Sequence, residues 1–171
     1  GAGHHVFREL KEARLRLPPP LEVQPAAEPE TLVIAGAGEG PLHLLAGRQI
    51  VSRERLELLA LGRDAELADG RPIADVLSAI RDSGTVPVLN WAPGKWFFAR
   101  GRIVARLIEE ATAGELAVCD TTLRPRVWPE PRLMLRARTC GLPRVAGSDP
   151  LPLAGEERYV GSYGIIAGDR K

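Results

Sequence analysis

The spacing of apolar residues predicts alternating helices and strands in the second half of the chain. In three segments apolar residues recur every three or four positions, which is typical of amphipathic helices. Short continuous apolar runs lie between and after these segments and predict strands. The predicted helices span 71–84, 98–112 and 131–141. The predicted strands span 86–90, 116–120 and 143–149. This order, with its short connections, is typical of parallel β/α units.

The first half of the chain has a less regular pattern. Residues 5–17 have helical spacing, and the three prolines that follow end the predicted helix. A polar, proline-containing connection then leads to three short apolar segments. These predict strands over 31–36, 48–52 and 56–62, and one further strand is predicted near 160–166. Leu and Glu favour a helix in the segment "LELLALG", but its short length favours a strand.

Size and composition indicate a single globular domain. The 171 residues are 44% apolar and 26% charged, with a formal charge of +1. This balance predicts no general attraction to nucleic acid or to a membrane surface, and no apolar run is long enough to span a bilayer. Cys119 and Cys140 lack the spacing of a zinc site and suit a reducing, cytoplasmic interior. We therefore predict one α/β domain over residues 1–171, with a parallel sheet that is open or closed into a barrel.

Two aspartates follow predicted neighbouring strands directly. Asp120 ends the segment "LAVCD" and Asp149 follows "VAGS". Ligands of parallel α/β sheets bind beyond the carboxyl ends of the strands, so these carboxylates are candidates for binding a divalent cation or for acid–base catalysis. The alternative is that each accepts hydrogen bonds from nearby backbone N–H groups, as Asp commonly does in turns.

The segment "VPVLNWAPGKW" raises the question of a phosphate-binding loop. A Walker A motif requires GxxxxGK followed by Ser or Thr, but Leu89 and Trp96 occupy the first and last of these positions. Lys95 is nevertheless a cation before a helix whose N-terminus favours anions. The alternative is a surface contact between Lys95 and the neighbouring tryptophans.

The segment "VIAGAGEG" has glycines near the end of a predicted strand. Its spacing is GxGxG, Pro41 follows it, and no acidic residue ends the next predicted strand, so it fails the dinucleotide-binding pattern. A nucleotide-binding α/β protein is therefore only a third hypothesis. Glu39 and His43 can still reach a metal ion or a substrate if this loop borders the site.

The order of segments over residues 31–155 resembles the PHP superfamily, the polymerase and histidinol phosphatase type of metal-dependent phosphoesterases. The similar segments are "AGRQIVSRERLELLALG", "VPVLNWAPGKW" and "VAGSDPLPL". The resemblance implies a distorted (β/α)7 barrel with parallel β/α units that binds up to three metal ions. The initial HxH motif of the family is absent, or belongs to an element that precedes this sequence.

Most metal ligands of the family are replaced in this chain. Gln49 stands in place of a glutamate ligand, Asn90-Trp91 in place of a His-Pro pair, and Leu151 in place of the final histidine. Glu57 or Leu58 lies near the position of a further histidine, and Asp149 alone matches cleanly. Because neutral amides bind divalent metals more weakly than carboxylate or imidazole, an ordinary trinuclear site is not expected.

The resemblance implies a divergent metal-dependent hydrolase of the phosphoesterase type that acts on an anionic small molecule. The alternative is a non-catalytic PHP-like domain that binds an anionic metabolite or a protein partner. The implied metal is Mn, Fe or Zn. The candidate metal ligands are Asp149, Asp120, Glu39 and His43. The candidate catalytic residues are Asp149, Asp120 and Lys95. The candidate substrate-binding residues are Asn90, Trp91, Lys95, Trp96, Arg124 and Arg126.

Overall fold

A computed structural model of the chain describes residues 5–36, 38, 40–125, 127–150 and 153–166. Within these residues there are four α-helices and eight strands. The helices are α1 (Val6–Lys11), α2 (Ile73–Asp82), α3 (Phe98–Glu110) and α4 (Arg132–Thr139). The strands are β1 (Glu22–Pro25), β2 (Thr31–Ala35), β3 (Leu42–Leu45), β4 (Gly47–Val51), β5 (Glu57–Leu61), β6 (Pro87–Asn90), β7 (Ala117–Thr121) and β8 (Arg144–Gly147). None of the described helices has the length and apolar character needed to cross a membrane.

The larger sheet is open and mixed, so the predicted (β/α)7 barrel is wrong. Its five strands have the order β4-β5-β6-β7-β8, and β4 and β8 are its edges. The two pairs formed by β6, β7 and β8 are parallel, as predicted. However, β5 is antiparallel to both β4 and β6. A parallel pair needs a long crossover, and the tight turn of residues 52–56 between β4 and β5 permits only a hairpin.

A second sheet holds the N-terminal strands. It is antiparallel and has the order β1-β2-β3. The sequence pattern predicted only β2, because the largely exposed β1 and β3 lack the apolar pattern of a buried strand. The strand predicted near 160–166 is also wrong: a 3-10 helix spans Glu156–Tyr159, and the described residues after it contain no strand.

Helices α2, α3 and α4 share one core with the larger sheet. Alternate strand residues enter this core, among them Leu58 of β5, Leu89 of β6 and Val118 of β7. The neighbouring strand positions face the opposite side, where Val88, Cys119 and their neighbours form a smaller cluster. This alternation follows from the two-residue period of a strand. The helices that pack on the strands therefore fix the positions of the strand ends.

The antiparallel direction of β5 places its first residue at the carboxyl ends of the parallel strands. In the register between β5 and β6, Glu57 lies opposite Asn90. Asn90 in turn lies opposite Cys119, and Asp120 lies opposite Ala146. One edge of the sheet thus carries the start of β5 and the ends of β6, β7 and β8.

Leu58→Ala tests whether β5 is held by the main core. Leu58 is 0% exposed, and its truncation should lower the free energy of unfolding by about 2–5 kcal/mol because a cavity forms in the core that the sheet shares with the helices. Leu61→Ala on the same strand is the matched control. Leu61 is 45% exposed, so its change should be within about 0.5 kcal/mol. Urea unfolding measures both values, and equal losses would contradict this packing.

Candidate functional site

Four polar side chains meet at the edge where β5 begins and β6 ends. The Lys95 ammonium forms an ion pair with Oε1 of Glu57. Asn90 donates from Nδ2 to Oε2 of the same carboxylate over 3.4 Å. Asp149, which follows β8, lies near enough that both Glu57 and Asn90 influence the pKa of its carboxyl. Glu57, Asn90, Lys95 and Asp149 are called the edge cluster below.

The tryptophans of the β6–α3 loop hold the edge cluster in position. Trp91 and Trp96 are 2% and 5% exposed and belong to the main core. The Trp96 indole donates from Nε1 to the backbone oxygen of Asn90 at 3.1 Å. Gly101 is required where the loop meets α3, because a Cβ there would lie 2.7 Å from the Trp96 backbone oxygen. The tryptophans therefore fix the positions of Asn90 and Lys95 rather than offer a broad surface to a ligand.

Asn90 has an amide oxygen that no described group satisfies. The residue is 3% exposed, and its Oδ1 has no hydrogen-bond partner within the described part of the chain. Burying an acceptor in this way costs about 1–3 kcal/mol, so a native structure rarely retains one without a reason. The amide nitrogen faces the Glu57 carboxylate, which fixes which atom is the oxygen. The free Oδ1 is the strongest indication of a ligand at the edge cluster.

The carboxyl of Asp149 has a raised pKa. Burial raises the pKa of its carboxyl, the negative charge of Glu57 raises it further, and the hydrogen bond from Asn90 offsets part of the rise. Its backbone has φ 42°, in the left-handed region that few residues other than glycine adopt. A strained backbone and a raised pKa at one residue are typical of functional sites.

Asp120, whose own side chain is fully buried, is the centre of a second contact. Arg124 donates to both of its carboxylate oxygens, from Nε at 3.0 Å and from Nη2 at 2.6 Å. The hydroxyl of Tyr163 donates to Oδ2 at 3.1 Å. Burial alone would raise the pKa of Asp120, but the hydrogen bonds and charge of Arg124, helped by Tyr163, lower it below its ordinary value. Asp120, Arg124 and Tyr163 are called the buried triad below.

The structure brings together five of the residues selected from sequence. Asn90, Lys95, Asp120, Arg124 and Asp149 lie at one edge of the larger sheet, in the edge cluster or the buried triad.

One other candidate lies elsewhere, and two are not among the described residues. His43 is exposed on β3, in the other sheet, opposite Val33. Glu39 and Arg126 lie outside the described residues.

The sequence pattern predicts no role in the site for two of its residues. It indicates Glu57 only as a position near a replaced histidine, and Tyr163 only as part of a strand. The short link between β4 and β5 was the available signal for Glu57, because it requires a hairpin and so brings the start of β5 to this edge. No local signal indicated Tyr163, whose contact with Asp120 spans 43 positions.

The side chains present do not fit the multinuclear metal centre that the PHP resemblance implies. Within the described ranges, no group of three or more His, Cys, Asp or Glu side chains is arranged to hold a metal ion. The edge cluster instead combines carboxylates with the free Oδ1 of Asn90. Apart from the Lys95 ammonium, the polar atoms that could ligate a cation here are oxygens, which suit one hard divalent cation such as Mg²⁺ or Mn²⁺ better than zinc.

Asp120→Asn tests the buried triad. The change leaves the Arg124 guanidinium without its counter-charge and should lower the free energy of unfolding by about 3 kcal/mol. Glu12→Gln, which removes the exposed pair with Arg14, should change it by less than about 1 kcal/mol. Urea unfolding at neutral pH compares the two variants. Similar small losses of unfolding free energy would show that the contact between Asp120 and Arg124 does not stabilise the fold.

The lowered pKa of Asp120 predicts how the stability of the protein changes in acid. The folded pKa of Asp120 is lowered, so its stabilising contribution is present above the unfolded pKa of about 3.9 and is lost as the pH falls through the folded value. Unfolding free energies measured from pH 5 downward, each relative to pH 7, should fall less steeply for Asp120→Asn than for the parent chain. If the unfolding free energies of the variant and the parent fall equally with pH, Asp120 does not cause the loss of stability in acid.

Comparisons with known proteins identify no relative: no protein-family model, curated protein or solved structure matches the chain at a significant level. A function must therefore be argued from the edge cluster and the buried triad themselves.

Proposed function

We propose that the edge cluster is the active site of a hydrolase that acts on an anionic small molecule of the phosphoester type. The observation that carries this proposal is the free, buried Oδ1 of Asn90 beside Asp149, whose carboxyl has a raised pKa. The position beyond the carboxyl ends of parallel strands supports it, because α/β proteins commonly bind their ligands there.

Asp149 is the proton carrier in this proposal. A carboxyl with a raised pKa can donate and accept protons closer to neutral pH than an ordinary aspartate. In hydrolysis the oxygen of a water molecule bonds to phosphorus and the ester P–O bond breaks. The leaving oxygen takes the proton of Asp149, and a proton from the attacking water restores the acid.

Glu57, Asn90 and Lys95 provide the surroundings of the anionic substrate. The Lys95 ammonium is the cation of the edge cluster, and Glu57 holds it in place through the ion pair. Glu57 and the Oδ1 of Asn90 are the groups that would hold a single divalent cation. Such a cation, when bound, supplies positive charge to the phosphoryl oxygens.

Two observations favour the alternative of a non-catalytic domain that binds an anionic metabolite or a protein partner. Glu57 neutralises the charge of Lys95, and the described residues contain no group of three or more His, Cys, Asp or Glu side chains placed to hold a metal ion. A site that binds without cleaving needs neither a free cation nor several metals. The experiment below separates the two functions.

Asp149→Asn tests catalysis directly. Hydrolysis of 4-nitrophenyl phosphate in the presence of Mg²⁺ or Mn²⁺ should fall roughly 10²–10⁴-fold, because the variant cannot carry the proton. Its stability at neutral pH should be equal to or greater than that of the parent, since burial and Glu57 disfavour the ionised carboxylate. A loss of activity with retained stability therefore separates a role in catalysis from a role in folding.

Asp75→Asn is the matched control. Asp75 is 51% exposed on α2, so its substitution should leave hydrolysis unchanged. If the parent chain hydrolyses neither 4-nitrophenyl phosphate nor a panel of phosphomonoesters with either cation, the hydrolase proposal fails and the binding alternative stands.

A further inference from the structure

A cavity of about 490 Å³ lies beside the buried triad. The β7–α4 loop forms one wall through Thr122, Arg124 and Pro125, and the C-terminal segment forms the other through Tyr159, Ser162 and Tyr163. Its volume is in the range of small-molecule sites, roughly 300–1,000 Å³. The proposed hydrolysis at the edge cluster does not use these walls.

The cavity has little free charge to offer a ligand. Arg124 is the one charged residue among its described lining, and Asp120 balances that charge through two hydrogen bonds. The remaining Nη1 of Arg124 donates to the backbone oxygen of Trp128 at 3.1 Å. An anion would therefore have to compete with a buried carboxylate, and the cavity does not resemble a phosphate site.

Hydroxyl groups supply the hydrogen-bonding capacity of the cavity. Tyr159 accepts a hydrogen bond from Arg158 at 3.0 Å and keeps its own O–H for donation. Thr122 and Tyr163 donate to Ser148 and Asp120 respectively, so each keeps lone pairs for a ligand. Ser162 adds a further hydroxyl to the lining. The lining thus offers both donors and acceptors without net charge.

The rings of two tyrosines and one proline provide the apolar part of the walls. Tyrosine presents an apolar face together with a polar tip, so it suits ligands that have both characters. A purely apolar ligand would leave the hydroxyls of the cavity without partners, which costs free energy. A ligand with several hydroxyls and flat C–H faces matches both kinds of surface.

We propose that this cavity binds a neutral polyhydroxyl ring, as found in sugars and cyclitols. The hydroxyls of the ring replace water at Tyr159, Ser162 and Thr122, while its C–H faces pack on the tyrosine rings and Pro125. The proposal goes beyond the proposed function and does not depend on hydrolysis. If both hold, the substrate class is a phosphorylated sugar, and only that combined statement rests on the proposed function.

Calorimetric titration of the chain with D-glucose, D-ribose and myo-inositol tests the proposal. At least one of these neutral probes should bind with a Kd of about 1 mM or tighter, the strength of a few hydrogen bonds and one packed ring. Inorganic phosphate should not compete with the bound probe. The proposal is overturned if no neutral probe binds, or if phosphate displaces it from the cavity.

Two variants locate the binding. Ser162→Leu removes a hydroxyl and fills the cavity, and Tyr159→Ala removes a wall, so each should weaken binding roughly tenfold or more. Both residues lie near the surface, and unfolding curves establish that each variant folds. Ser78→Leu on the exposed face of α2 is the matched control and should bind like the parent.

Binding that both cavity variants leave unchanged would place the ligand elsewhere and overturn the proposal. The readout is equilibrium binding, so it is independent of the hydrolysis assay. A chain that binds D-glucose but cleaves no phosphoester keeps this inference and loses the proposed function. A chain that cleaves a phosphoester but binds none of the neutral probes keeps the proposed function and loses this inference.

Discussion

The antiparallel pairing of β5 with β6 is the constraint on which the edge cluster depends. It brings Glu57, the first residue of β5, beside Asn90, the last residue of β6. In a uniformly parallel sheet the start of β5 would lie at the opposite edge, and Glu57 could not pair with Lys95. The pairing thus determines the charge of the site: the ammonium of Lys95 is balanced, and Asp149 is the acid that burial and Glu57 perturb.

The buried triad connects parts of the chain that are distant in sequence. Asp120 is 0% exposed on β7, Arg124 lies in the following loop, and Tyr163 belongs to the C-terminal segment. A buried carboxylate is tolerated only when hydrogen bonds and opposite charge compensate for lost hydration. This requirement ties the loop and the C-terminal segment to β7, and the cavity between them has its shape because both walls are fixed to one carboxylate.

The β6–α3 loop shows how packing changes the meaning of a motif. As a sequence, "NWAPGKW" leaves open whether Lys95 binds an anion or makes a surface contact with the neighbouring tryptophans. In the structure both tryptophans are buried, and Lys95 is paired with Glu57. The apolar free energy of burying two indoles anchors the loop, and the anchored loop places the amide of Asn90 within the edge cluster. The same residues therefore support the site by positioning it.

Local patterns were sufficient to predict the elements of the larger sheet and helices α2, α3 and α4, because apolar periodicity follows directly from burial of one face. They also placed Asn90, Asp120 and Asp149 at strand ends. The sequence by itself did not determine strand direction, the open form of the sheet, or the partners of Lys95 and Asp120. Those depend on pairings such as Glu57 with Asn90, 33 positions apart, and no local pattern encodes them. The tertiary structure decided them, because a strand's direction depends on which neighbour completes its hydrogen bonds and covers its apolar face.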